Sequence, residues 1–199
     1  LIGSDQADTL LVGTVTGATG GGAGADDATG STINAGKGGD IVTITDPVLA
    51  ADGDQAVDTL IIDAGDSMIG YVDTNANGSY ADTDDQETFD VVTGFTSGED
   101  TIDLGSFGFT GQKASGLAAG AATDLVNGNT TSIADFFVDT GVQRGVAIVD
   151  NYDASAIGGA AGSTLVFIDT DGDGSLDVAN DDMIVLSGTS TAALGDFGF

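Results

Sequence analysis

Thirty aspartates and two glutamates share this chain with only three basic side chains, Lys37, Lys113 and Arg144, and no other feature constrains its fold as strongly. The formal net charge is −29 at pH 7 over 199 residues. Three ammonium or guanidinium groups cannot neutralise so many carboxylates, so a compact state calls for another cation. A hard cation taking oxygen ligands is the simplest candidate. The chain does not have the composition of a disordered one, which combines high charge with low hydrophobicity. Apolar residues make up 41% and mean hydropathy is +0.18. The runs Ile41-Val42-Thr43-Ile44, Leu60-Ile61-Ile62 and Leu165-Val166-Phe167-Ile168 read as buried strands.

The residue types that are missing exclude much chemistry. With no His and no Cys, the chain cannot by itself build a Ser/His/Asp or Cys/His nucleophile system, a His-ligated zinc site or a thiolate cluster. Paired carboxylates could serve a glycosidase, but no Trp is present as a sugar platform, and an enzyme is not expected. Nucleic acid is not an expected partner, since phosphate binding needs clustered Lys and Arg. No apolar run approaches the roughly 18 residues of a membrane span. The sequence starts at Leu1 and shows no signal peptide. That reads as a mature or excised piece, or as export without a cleaved N-terminal signal. The lack of Cys fits an extracellular protein held by metal instead of disulfides.

Gly is abundant at 33 residues and Pro occurs once, at Pro47. Gly interleaved with Asp, Thr and β-branched residues reads as tight turns between short strands. The expected fold is all-β: a calcium-binding β-roll or β-sandwich-like stack of short strands with Gly/Asp turns and one short helix. Two parts are expected, a degenerate β-roll over 1–70 and a β-rich part over 71–199 with two acidic loops, which can also form one continuous domain. The helix is placed over 131–137, where Ile133, Phe136 and Phe137 fall at i, i+3 and i+4 after hydroxyl caps. Residues 111–130 read as a flexible connector. Internal likeness between 71–109 and 167–199 leaves duplication and compositional coincidence both open.

Two patterns carry the candidate chemistry. The first is G-G-x-G-x-D-x-U-x, with U a large apolar residue. It appears as Gly21-Gly22-Ala23-Gly24-Ala25-Asp26 and, with Ala for the first Gly, as Ala35-Gly36-Lys37-Gly38-Gly39-Asp40-Ile41. Looser versions run from Gly3 to Leu10 and from Gly53 to Leu60, sharing the Asp-Thr-Leu at Asp8 and Asp58. Gly allows positive φ, which turns carbonyls inward, and Asp adds a carboxylate. One turn supplies half a cation site and the turn stacked on it completes the shell. In a two-strand coil, turns on one side recur about every 18 residues. Asp8 to Asp26 and Asp40 to Asp58 both have that spacing. Candidate ligands are therefore Asp8, Gly22, Gly24, Asp26, Gly36, Gly38, Asp40 and Asp58.

The second pattern is D-x-[DN]-x-[DN]-G, in which oxygens at positions 1, 3 and 5 converge because Gly at 6 allows a sharp turn. It occurs at Asp73-Thr74-Asn75-Ala76-Asn77-Gly78 and at Asp169-Thr170-Asp171-Gly172-Asp173-Gly174. Candidate ligands are Asp73, Asn75, Asn77, Ser79, Asp82 and Asp84 in the first loop. In the second they are Asp169, Asp171, Asp173, Ser175, Asp177 and Asp181. An EF-hand carries a bidentate Glu at position 12; here that position is Asp84 or Asn180. The expected ion is calcium, bound at the weak extracellular end of its range. A polar Asx-rich turn that binds nothing is the alternative.

These residues resemble the RTX (repeats-in-toxin) calcium-binding family exported through type I secretion. Residues 33–42 are similar to its β-roll repeat. Phe89 through Leu104 is similar to the segment that closes serralysin-type C-terminal domains, and Ser163 through Gly188 to the C-terminal region of such secreted proteins. The resemblance implies an extracellular or cell-surface location in a Gram-negative bacterium and a fold that forms once calcium is met outside the cell. Two functions follow as expectations. One is a calcium-dependent structural protein that self-assembles into a surface layer, filament or matrix, its partners being calcium and further copies of itself, with a cell-surface polysaccharide as a further candidate. The other is the calcium-folding and secretion module of a larger adhesin or hydrolase.

Overall fold

The computed structural model of the chain describes residues 1–13, 30–45, 57–72, 86–108, 114–127, 132–134, 136–137 and 145–199. Its first half runs through β1 (Thr9–Gly13), β2 (Thr32–Asn34), β3 (Ile41–Thr45), β4 (Thr59–Ile61), β5 (Tyr71–Val72), β6 (Gln86–Glu87), β7 (Asp90–Thr93) and β8 (Thr101–Asp103). There follow β9 (Ala114–Gly116), α1 (Ala119–Val126), β10 (Ser132–Ile133), β11 (Val146–Asp153) and β12 (Ala161–Ile168). The chain ends through β13 (Leu176–Asp177), β14 (Asp182–Ser187) and β15 (Phe197–Gly198).

Two sheets dominate. One has the order β1-β3-β7-β14-β12-β11-β9 and the other β15-β8-β4-β2. Successive strands alternate between them: β1, β3, β7 and β14 lie parallel in the first, and β2, β4, β8 and β15 lie parallel in the second. The winding is interrupted after β8. Strand β12 then extends the first sheet antiparallel to β14, β11 pairs antiparallel with β12, and β9 adds an edge parallel to β11. The pairs β10-β13 and β5-β6 form two small antiparallel ribbons.

The seven-stranded sheet is covered on both faces. Between the two large sheets lies a core of Val42, Ile44, Val92, Ile184 and Leu186 against Ile33, Leu60, Ile102, Leu104 and Phe197. On the opposite face Val91, Val149, Leu165, Phe167, Met183 and Val185 pack with Ala122, Leu125 and Val126 of α1 and with Phe137. Double coverage explains the sequence of the central strands: β14 and β12 are buried at nearly every position, as expected of strands without a wet face. The peripheral strand β3 instead alternates, with Val42 and Ile44 in and Ile41 and Thr45 out.

The expected all-β stack is overturned. The fold is mixed α/β, with a helix on one face of the larger sheet and mostly parallel pairing in both large sheets. It is not a pure β-roll, because the segment between β8 and β14 contributes antiparallel strands and a helix instead of further repeats. Both large sheets contain strands from 1–70 and from 71–199, those from 1–70 lying side by side at one end of each sheet.

The helix also lies elsewhere than expected. Over the described part of 131–137, Ser132–Ile133 is β10 and Phe136 and Phe137 sit in a turn. The two rings meet edge-to-face at 4.8 Å. A single i, i+3, i+4 triplet is one helical turn, and nucleating so short a helix is unfavourable. The helix forms instead over 119–126, inside the segment read as a connector, where Ala122, Leu125 and Val126 supply the buried face.

Within the likeness of 71–109 to 167–199, Leu104-Gly105-Ser106-Phe107 matches Leu194-Gly195-Asp196-Phe197 in sequence, but the two differ in structure. In the first, a strand precedes the 3₁₀ turn; in the second, the turn at Leu194–Asp196 precedes the strand.

Candidate metal centre

Aspartates stand at the entrance of successive strands, and each binds the backbone of the strand beside it. Asp40 Oδ1 accepts the Asp8 N–H at 2.6 Å, and Asp90 Oδ1 accepts the Asp40 N–H at 2.9 Å. The second large sheet repeats the device: Asp58 Oδ1 accepts the Ser31 N–H at 2.5 Å, and Asp100 Oδ1 accepts the Asp58 N–H at 2.9 Å. The rows therefore run Asp8-Asp40-Asp90 and Ser31-Asp58-Asp100. The expected 18-residue stacking of Asp40 on Asp58 does not occur, because those residues open strands in different sheets.

At the far end of the first row, Asp8 Oδ2 accepts the N–H and hydroxyl of Ser4 at 2.7 and 2.8 Å. Gly36 and Gly38 serve this packing directly. Gly36 has φ +89°, and a Cβ there would lie 2.1 Å from the Ser4 carbonyl oxygen. At Gly38, with φ +110°, a Cβ would lie 2.8 Å from the Ala7 nitrogen.

The acidic loop after β12 is built around Asp169, which is fully buried. Its Oδ1 accepts the Gly172 N–H at 2.8 Å and its Oδ2 the Gly174 N–H at 3.1 Å. Asp171 and Asp173 are exposed and bind the N–H groups of Asp173 and Ser175. Among the described residues, Asp169, Asp171 and Asp173 form the one trio that brings a carboxylate oxygen from each within 4.8 Å of the others. They could hold a metal ion.

The loop is fixed at both ends. Phe137 donates its N–H to the Gly174 carbonyl at 2.7 Å, and Leu176 is buried in the helix-side core. Asp181 is also fully buried. It accepts the Thr170 N–H on Oδ1 and the Asp177 N–H on Oδ2, both at 2.8 Å, so it staples the loop shut. Asp177 in turn caps Ala179 and Asn180.

Electrostatics mark the cost of this arrangement. Burial, reinforced by Asp171 and Asp173, pushes Asp169 up to about 6 against the pull of its two backbone bonds. Burial likewise pushes Asp181 up to about 7, with Asp169 and Asp177 adding repulsion and two N–H bonds opposing. A hard cation among these oxygens would remove that penalty, since three carboxylates with backbone and water oxygens are a hard donor set.

Gly22, Gly24, Asp26, Asp73, Asn75, Asn77, Ser79, Asp82 and Asp84 lie outside the described residues. Other acids escaped the sequence reading. Asp66, Asp90, Asp100, Asp182 and Asp196 are all buried. Asp196 accepts bonds from Gly98, Ser97 and Ala193. A signal for Asp90 and Asp100 was present: Asp100 directly precedes a strand, as Asp8, Asp40 and Asp58 do, and Asp90 is the first residue of one.

No family model matches this chain, and no curated protein matches it. Among the described residues no helix is long and apolar enough to cross a membrane.

Proposed function

We propose that the chain is a calcium-organised extracellular structural protein that assembles with copies of itself into a surface layer, filament or matrix. The observation that carries this reading is the loop at Asp169, Asp171 and Asp173, where three carboxylates converge with no Lys or Arg in the loop. Calcium fits the donor set, and its binding would be coupled to folding because the loop closes on a buried aspartate.

Self-assembly draws support from the β1 side of the larger sheet. Among the described residues strand β1 is an edge of the seven-stranded sheet; Leu11 within it is 72% exposed, and Ile41 of the neighbouring β3 is exposed too. An exposed apolar edge strand offers unpaired backbone groups to another chain. Charge repulsion would block that pairing until cations bind. The RTX likeness supplies the type I secretion in this reading. It also keeps a second reading in play: a calcium-folding secretion module whose partner activity lies on another part of a longer protein.

Size-exclusion chromatography and electron microscopy with calcium, then with chelator, separate these. Regular assemblies that dissolve in chelator support the structural protein. A calcium-loaded monomer at every concentration supports the module, and indifference to chelator contradicts both.

A further inference from the structure

A second group of carboxylates sits deeper than the loop. Asp40, Asp90 and Asp182 open three adjacent strands of the seven-stranded sheet, β3, β7 and β14. The register pairs Ile41 with Val91 and Ile184 with Asp90, so the three side chains share the parity of Val42, Val92 and Ile184, which face the inter-sheet core. All three are fully buried. Each uses one oxygen on a backbone N–H: Asp40 on Asp8, Asp90 on Asp40, and Asp182 on Gly65 at 2.9 Å. The other oxygen of each, Asp40 Oδ2, Asp90 Oδ2 and Asp182 Oδ1, is buried with no hydrogen-bond partner.

The loop over 63–69 closes the group from above. Ser67 receives the Met183 N–H on its carbonyl and gives its hydroxyl to the Met183 carbonyl, while Asp90 donates its N–H to the Ser67 hydroxyl. Asp66, also buried, lies in the same loop. Lys37, the one basic side chain among the described residues, acts on Asp66 from the rim.

We propose that Asp40, Asp90 and Asp182, with Asp66 at the rim, form a second, buried site for a hard divalent cation, separate from the Asp169 loop. Three unpartnered carboxylate oxygens inside a protein carry a heavy desolvation cost unless a counter-charge joins them. Spacing favours a cation over a shared proton. Asp90 and Asp40 make the same bond to the strand before them, so equivalent oxygens repeat at about the 4.8 Å separation of neighbouring strands. That is too far for a proton held between two oxygens, which needs roughly 2.5–2.7 Å. It matches a calcium ion midway, at about 2.3–2.6 Å from each oxygen. Asp182 stands diagonally to the pair, two residues before the partner of Asp90.

The site stands independently of the loop, and calcium titration calorimetry of the chelator-stripped full chain separates the two. Asp171→Asn with Asp173→Asn removes the loop ligands; adding Asp90→Asn removes the central carboxylate of the buried row while keeping an acceptor for the Asp40 N–H. Stoichiometry should fall by at least one ion from the double to the triple variant. Asp90→Asn alone should melt above wild type in chelator and gain less than wild type from calcium. Equal calcium stoichiometry in the double and triple variants overturns the buried site. Should the triple variant lose its native circular dichroism, Asp182→Asn in the same background gives the same comparison. If the double variant binds as many ions as wild type, the loop reading fails while the buried site is still judged by the next step.

Discussion

Asp90 accepts the backbone N–H of Asp40, 50 residues earlier in the chain, at 2.9 Å. That bond joins two strand entrances and fixes the register of β3 against β7, so the aspartates that repel one another also hold the sheet together. Replacing Asp90 by Ala leaves a buried N–H unpaired, at about 1–3 kcal/mol. Asp90→Asn keeps an acceptor for that N–H and removes a buried charge, so it should be more stable than wild type in chelator. Urea unfolding of the two variants checks the difference.

Stability without divalent cations should fall as pH rises. Asp40, Asp169 and Asp182 are raised to about 6 and Asp181 to about 7, from 3.8. Burial is the main cause in each. The folded state therefore holds these protons more tightly than the unfolded chain. The stability they contribute is complete below the unfolded value near 3.8 and is lost as pH climbs through 6 to 7. Calcium binds the deprotonated carboxylates, so it should flatten or reverse this trend. Melting temperatures across about pH 4.5 to 8, in chelator and in calcium, test the sign.

The exposed loop ligands should separate binding from folding. Asp171→Asn and Asp173→Asn remove ligand charge from surface positions and should shift chelator-state stability by no more than about 0.5 kcal/mol. Together they should weaken calcium binding at the loop tenfold or more. Asp169→Ala should fail differently, because the Gly172 and Gly174 N–H groups lose their acceptor. Terbium luminescence read beside thermal melts distinguishes the two outcomes.

Assembly should depend on the β1 edge. Leu11→Lys with Ile41→Lys places charge on exposed positions and leaves the buried Val12, Val42 and Ile44 untouched. The variant should keep its melting temperature and calcium stoichiometry while losing calcium-induced assemblies by light scattering.

Much of the strand pattern was legible. The apolar runs at 41–44, 60–62 and 165–168 all fall in strands or at their ends, because β-branched runs bounded by Gly and Asp have few other uses. The helix was not legible: Ala119 to Val126 is small and carries one charge, Asp124. Its amphipathic signal rests on Ala122, Leu125 and Val126 alone, although alanine is the strongest helix former. The loop trio at 169–173 was legible from spacing, since its ligands are local. The row Asp40-Asp90-Asp182 was not, because the winding between its members differs in length and the partners are set by sheet order. Asp181 and Asp182 are both fully buried, which no local pattern announces. Their burial follows from where β14 enters the doubly covered sheet.

Thermal unfolding of the intact chain near pH 7.5, in chelator and then in millimolar calcium, tests the central claim most directly. The cation-neutralised fold predicts a large upward shift of the midpoint that saturates with calcium and does not follow from equivalent ionic strength in sodium. Coincident midpoints in chelator and calcium would contradict it.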